Sequence, residues 1–353
     1  MRMQPAQWND SATGSPLVSR LVADTPAPLF FRKAIPLVSK RTVLMSLALV
    51  AFLPVLMLSL QAPAASAPVE GLVAGDIAWM LTASGMVLFM TPGLAFFYGG
   101  MVSPKNVIST MLQCFIALGV VSVLWIAVGF SLAFGDSIRG LVGNPFTYLM
   151  FRGVGDAPDP RLSPTIPMLL FALFQLKFAI ITPALITGAF AERVRFSAYL
   201  IFVSLFSLLI YAPLAHWTWH PEGFLRQWGV LDFAGGTVVH MSAGLAALAG
   251  AWVLGRRQSH LYGETHLPAH IPFVILGTGM LWFGWFGFNA GSALAASPTA
   301  VLAFATTNTA SAAAMMAWVA WSGCWRPAFS RVTSVFSQAR PTRCSFTWWP
   351  WCW

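Results

Sequence analysis

Charge is scarce in this chain: 9% of its 353 residues are Asp, Glu, Lys or Arg, against about 25% in soluble domains. With 57% hydrophobic residues and a mean hydropathy of +0.71, there is too little polar surface for a water-soluble globule. Cysteine is also scarce. Cys114, Cys324, Cys344 and Cys352 form no CxxC pair, which excludes a disulfide framework and a cysteine zinc site. No nucleophile–base pair, phosphate-binding loop or haem-attachment motif is present, so the sequence supports neither an enzyme nor a cofactor. The formal charge of +9 does not mark a nucleic-acid binder. Arg20, Arg32, Lys33, Lys40 and Arg41 precede the apolar region, while Arg326, Arg331, Arg340 and Arg343 follow it. Much of the remaining positive charge flanks apolar runs, and no basic groove is interleaved with stacking aromatics.

Long apolar runs are what the chain does have. Residues 1–41 are polar and become basic, "TVLMSLALVAFLPVLMLSL" (42–60) is apolar, and "QAPAASAPVE" follows. A basic flank, an apolar run and A-x-A sites at 62–64 and 65–67 read as a secretory signal peptide. Pro68 hinders cleavage after Ala67, which favours Ala64. An uncleaved first membrane helix is the other reading. Further membrane helices are predicted near 76–101, 107–134, 166–190, 196–216, 233–255, 271–294 and 300–322, each long enough to span the hydrocarbon core. Lys105, Arg193, Arg195, Arg256 and Arg257 fall in connections on one side, which the positive-inside rule makes cytoplasmic. Loops 135–165 and 217–230 then face outward. Glycines within the runs predict close helix contacts.

Three regions follow: an N-terminal extension with signal peptide (1–67), a membrane domain (68–323) and an aberrant tail (324–353). The tail, "CWRPAFSRVTSVFSQARPTRCSFTWWPWCW", has no spanning run and is rich in Trp, Arg and Cys. It reads as the product of a reading-frame change near Gly323, or else as an interfacial tail anchored by tryptophans.

Ionisable groups inside apolar runs are costly in lipid. In "LDFAGGTVVH" (231–240), Asp232 opens a run and can cap the N–H groups of a helix start. His240 lies about 12 Å further along, at eight residues of 1.5 Å each. Spacing alone supports a packing histidine and a pore histidine equally. "GWFGFNAGS" (284–292) offers Trp285, Phe286, Phe288, Asn289 and Ser292, the turn after 216 offers Trp217 and Trp219, and "FQLKFAIITPA" contains Phe174 and Phe178. Aromatic faces can hold a small cation without a full counter-charge; an aromatic belt with ordinary core contacts is the plainer reading. Lys177 is an intramembrane lysine that either reaches the outer interface or pairs with a carboxylate. His260, His266 and His270 read as a solvated loop rather than a metal site. His216 and His220 read as interfacial hydrogen-bonding groups.

"TPGLAFFYGG" (91–100), "GAFAERVRFSA" (188–198), "LDFAGGTVVH" and "GWFGFNAGS", in this order, resemble the ammonium transporter family (Amt/Mep/Rh) from about residue 74 to Gly323. The resemblance implies an all-α, polytopic transmembrane helix bundle built on an inverted repeat. That repeat is incomplete here, with about seven of about eleven spans. It implies an outer ammonium site at Trp219 and Ser292, a phenylalanine gate at Phe178 and Phe288, a pore histidine at His240 and structural support from Asp232. The partner of that histidine, expected in the second repeat, has no equivalent. The resemblance further implies ammonium/ammonia as substrate, a homotrimer, a P-II-type regulatory partner at the cytoplasmic face and the bacterial cytoplasmic (inner) membrane. The alternative is a non-transporting fragment: a pseudogene product, or an ammonium sensor or partner of intact subunits.

Overall fold

The computed structural model describes residues 70–257, 262 and 267–319, with side chains up to 310. The expectations for 1–67 and 324–353, and those for His260 and His266, lie outside the described residues.

Seven long helices are present among the described residues. They are α1 (Ala74–Met101), α2 (Val107–Leu124, continued through a π turn at Trp125–Gly129 to Phe130–Phe134), α3 (Met168–Phe190), α4 (Phe196–Phe206, a π turn at Ser207–Tyr211, then Ala212–Trp219), α5 (a π turn at Gly236–Met241, then Ser242–Leu254), α6 (Ile271–Gly291) and α7 (Pro298–Val319). The first six lie in runs long and apolar enough to cross a membrane. A helix is the element these runs demand, because lipid offers no partner for a free backbone N–H or C=O. The fold is an all-α polytopic bundle with one short antiparallel hairpin, β1 (Ser137–Ile138) with β2 (Val142–Gly143), in register Ser137↔Gly143.

The helices meet through small residues. α1 and α6 form the most extensive seam, and it admits no larger side chain. A Cβ on Gly93 would stand 2.8 Å from the Cβ of Met280, and one on Gly287 would stand 2.7 Å from the Ala83 carbonyl oxygen. Such close approach maximises dispersion where no hydrophobic force draws helices together. α3 occupies the centre, against α1, α2 and α5.

At one end, Glu192 Oε1 accepts from Ser103 N (2.8 Å), Ser103 Oγ (2.5 Å) and Asn106 Nδ2 (3.1 Å). Its other oxygen lies 3.9 Å from Arg257 Nε. Arg193 donates to the carbonyls of Ala189 and Gly255. The basic connections therefore do gather at one end of the bundle. Burial, and then the neighbouring Arg257 charge, pull the Arg193 pKa below its usual value; a guanidinium stays charged even so.

Several expectations shift. α5 begins at Gly236 rather than at 233, because the chain first turns through Gly235 at φ +107°, a conformation open to glycine. His240 therefore sits about one turn into its helix, so the eight residues from Asp232 are not all helical. His216 and His220, at the end of α4, make hydrogen bonds as expected but within the protein: both are fully buried, and their rings stack with centroids 4.4 Å apart. His216 bonds Ala133 O and Ser137 Oγ, each at 2.9 Å, tying α4 to α2 and the hairpin. His270 is exposed, as a solvated connection implies, and also has a local role: its Nδ1 accepts from Phe273 N (3.1 Å) and caps α6.

An outer cavity above a stacked phenylalanine pair

Asp232 organises the start of α5. Its Oδ1 accepts from Gly235 N (2.6 Å) and Gly236 N (2.8 Å), and its Oδ2 accepts from Thr237 N (2.8 Å) and Val238 N (3.0 Å). One carboxylate thus satisfies the N–H groups that a helix start leaves open. The Asp232 backbone carbonyl accepts from Trp219 Nε1 (2.9 Å), which fixes the indole at the end of α4.

Trp219, Ser292, Phe178 and Asp232 line one cavity of about 300 Å³ at the end of the bundle away from the basic connections. Ser292 donates to Phe288 O (2.8 Å), so its oxygen keeps lone pairs for a donor in the cavity. Below, the rings of Phe178 and Phe288 stack with centroids 4.2 Å apart and planes 29° apart. Each is 1% exposed, so the stacked pair is enclosed by its neighbours. Trp219 meets Phe178 edge-on at 5.9 Å, and Phe174 braces the same ring at 4.9 Å. His240 lies beside Phe288 (5.7 Å) and against Trp285 (5.9 Å). The four chain segments carrying these groups converge because α3 packs against α1 and α5, and α6 closes onto α1.

Other candidates go elsewhere. Trp217 bonds Leu141 O and meets Phe224 at 5.2 Å, outside the cavity lining. Phe286 stacks on Phe304 at 4.3 Å, and Asn289 Nδ2 donates to Thr307 Oγ1 (2.8 Å); both join α6 to α7. Lys177 is half-buried well inside the 23-residue α3, and the ion pairs among the described residues are Arg161–Glu222 and Arg257–Glu192. Its pairing with a carboxylate is therefore not realised there.

Sequence reasoning missed three groups in the cavity wall: Arg161, Gln175 and Arg226. Gln175 is 9% exposed, and its Oε1 has no hydrogen-bond partner. A polar residue three positions before Phe178 in an apolar helix was a legible signal. Arg161 carried none, since it arrives from a long loop and pairs with Glu222 at 3.3 Å.

Fold and site define a multi-pass helical membrane protein with a polar-and-aromatic cavity at one end of the bundle, next to a stacked phenylalanine pair. The Ammonium Transporter Family profile matches residues 78–329, and the chain belongs to that family. It is 49% identical over 211 residues to an ammonium transporter of Aquifex aeolicus, covering 60% of this chain and 48% of the relative. It is 46% identical over 231 residues to an ammonium transporter of Mycobacterium tuberculosis, with the same shares covered. Among solved structures, Mep2 of Saccharomyces cerevisiae superposes with a TM-score of 0.61 at 34% identity, over 66% of this chain and 51% of Mep2. A structure described as a sensor Amt protein gives 0.62 at 30% identity, over 70% and 62%. The chain spans about half the length of the curated relatives it matches.

Proposed function

We propose that this chain serves ammonium transport: it takes up the cation in the outer cavity and passes uncharged ammonia between Phe178 and Phe288 towards His240. The observation that carries this reading is the stacked Phe178–Phe288 pair, with Trp219 and Ser292 above it and an imidazole beside it. Stripping a cation of water costs far more in a dry passage than stripping a neutral molecule. Aromatic faces return about 2 kcal/mol or more when desolvated, and the Ser292 oxygen accepts one N–H bond. Ammonium held there gives one proton to the accepting nitrogen of His240, its N–H bond breaking as the imidazole N–H forms, and the neutral molecule crosses the rings. His240, as a neutral imidazole, offers one donor and one acceptor and relays the proton separately.

The same reading makes the protein a transporter rather than an enzyme. It resides in the bacterial cytoplasmic membrane after removal of a signal peptide, with the end bearing Lys105, Arg193 and Arg257 in the cytoplasm. A homotrimer, and a P-II-type partner at that cytoplasmic end, rest on the family resemblance.

Uptake of labelled methylammonium by cells lacking their own ammonium transporters tests the reading, with membrane insertion checked first. Saturable uptake competed by ammonium is expected. A correctly inserted chain that takes up no more than empty-vector cells, and whose purified form binds no ammonium, sinks it. A His240→Ala variant with unchanged uptake and selectivity removes the histidine from the route.

A further inference from the structure

Asp76 is not among the residues lining the cavity, yet it is tied to the segment that carries two of its walls. It sits in the first turn of α1 and is 7% exposed. Its Oδ1 accepts from Ala296 N at 2.8 Å, across 220 residues of sequence. Ala296 belongs to the connection 292–297 between α6 and α7. Ser292 starts that connection, and Leu294 stands in its middle; both line the cavity. Leu294 is held at φ +56°, a left-handed conformation that a branched residue adopts only when its surroundings impose it. The backbone bonds around it are short-range: Leu294 N to Gly291 O (2.9 Å) and Ser297 N to Ala295 O (3.0 Å). Ser297 then starts α7, its carbonyl accepting from Val301 N (3.1 Å). The Asp76 carboxylate therefore lies at the N-terminal end of its own helix and next to that of α7, where negative charge is favoured. One turn along α1, Trp79 Nε1 donates to Ala290 O (3.4 Å), a second strut to the same region.

We propose that Asp76 is a positioning residue for the outer cation site: by clamping the Ala296 amide it holds the 292–297 connection against α1 and so sets where Ser292 and Leu294 stand in the cavity. This role rests on the proposed ammonium site, but the clamp itself can be tested without it.

Four variants of the full chain separate the two: Asp76→Asn, which keeps the Oδ1 acceptor, Asp76→Ala, Ser292→Ala and Asp76→Ala/Ser292→Ala. Amide hydrogen exchange of the purified protein reads the clamp. Exchange across 292–297 rises about tenfold in Asp76→Ala and stays near the parent rate in Asp76→Asn. Tryptophan-fluorescence titration with ammonium chloride reads the consequence. Half-saturation rises several-fold in Asp76→Ala and in Ser292→Ala, and the double variant is no worse than Ser292→Ala alone, the non-additivity of two residues acting through one contact. Unchanged exchange at 292–297 in Asp76→Ala overturns the proposal. So does a double variant whose loss is the product of the two single losses, because Asp76 then acts independently of Ser292. A parent chain that gives no ammonium response counts against the functional reading alone, and exchange then decides the clamp. If Asp76→Ala fails to fold, Asp76→Leu, which occupies the site without an acceptor, takes the same measurements.

Discussion

α3 and α5 carry residues of the same site, yet they live in different surroundings. In α3, 72% of the apolar window is buried inside the protein, against 22% in α5 and 28% in α6. Phe178 on α3 is enclosed by Phe174, Trp219 and Phe288. α5 and α6 turn Val238, Val239 and Phe288 inward while Leu248, Trp252 and Phe283 remain exposed. In a soluble protein such exposure would mark a binding surface. In an apolar bundle it is also what contact with lipid or another helix requires, so exposure alone does not identify the neighbour. The contrast shows where the sequence is constrained: around the central helix, and on the narrow inward stripe of the two rim helices.

Substitutions along that boundary test the contrast, beginning with the most damaging. Asp232→Ala leaves the N–H groups of residues 235–238 without their acceptor. At about 1–3 kcal/mol for each unsatisfied buried group, little folded protein should survive, as judged by monodisperse yield in detergent. Phe178→Ala empties the enclosed centre and should cost about 3–5 kcal/mol, read as a lowered thermal midpoint. Ser292→Ala should leave that midpoint alone and weaken ammonium binding about tenfold or more, since a hydrogen bond to a charged group contributes roughly 1.5–3 kcal/mol. Gly287→Ala forces a methyl group into the α1–α6 seam and should cost about 1–3 kcal/mol. Leu248→Ala, on the outward face of α5, should change stability by less than about 0.5 kcal/mol. A Leu248→Ala cost as large as that of Phe178→Ala would break the contrast and show that the exposed face is covered by protein.

The bundle was largely legible. Among the described residues each apolar run became a helix, since a chain in lipid has few ways to satisfy its backbone. The basic connections met at one end as their charges implied, and Glu192 provides the reason. The candidate site was legible where the residue's chemistry is unusual for its place. Asp232 at a helix start and His240 within an apolar run stand out. Spacing alone could not tell Trp217 from Trp219, which only the family resemblance singled out; one indole goes to the cavity and the other to the hairpin. Asp76 was passed over: an acid in the first turn of a helix has a local explanation, and its partner is far along the chain.

By itself the sequence determined that this is a multi-pass helical membrane protein, and which residues were chemically out of place within it, because hydropathy and helix periodicity are properties of neighbouring residues. Only the tertiary structure decided which of those residues share the cavity, that Phe178 of α3 and Phe288 of α6 stack beside it, and that Asp76 reaches Ala296. Such meetings depend on how helices distant along the chain approach one another, and that approach is set by glycine-sized clearances summed over whole seams rather than by any local stretch of residues.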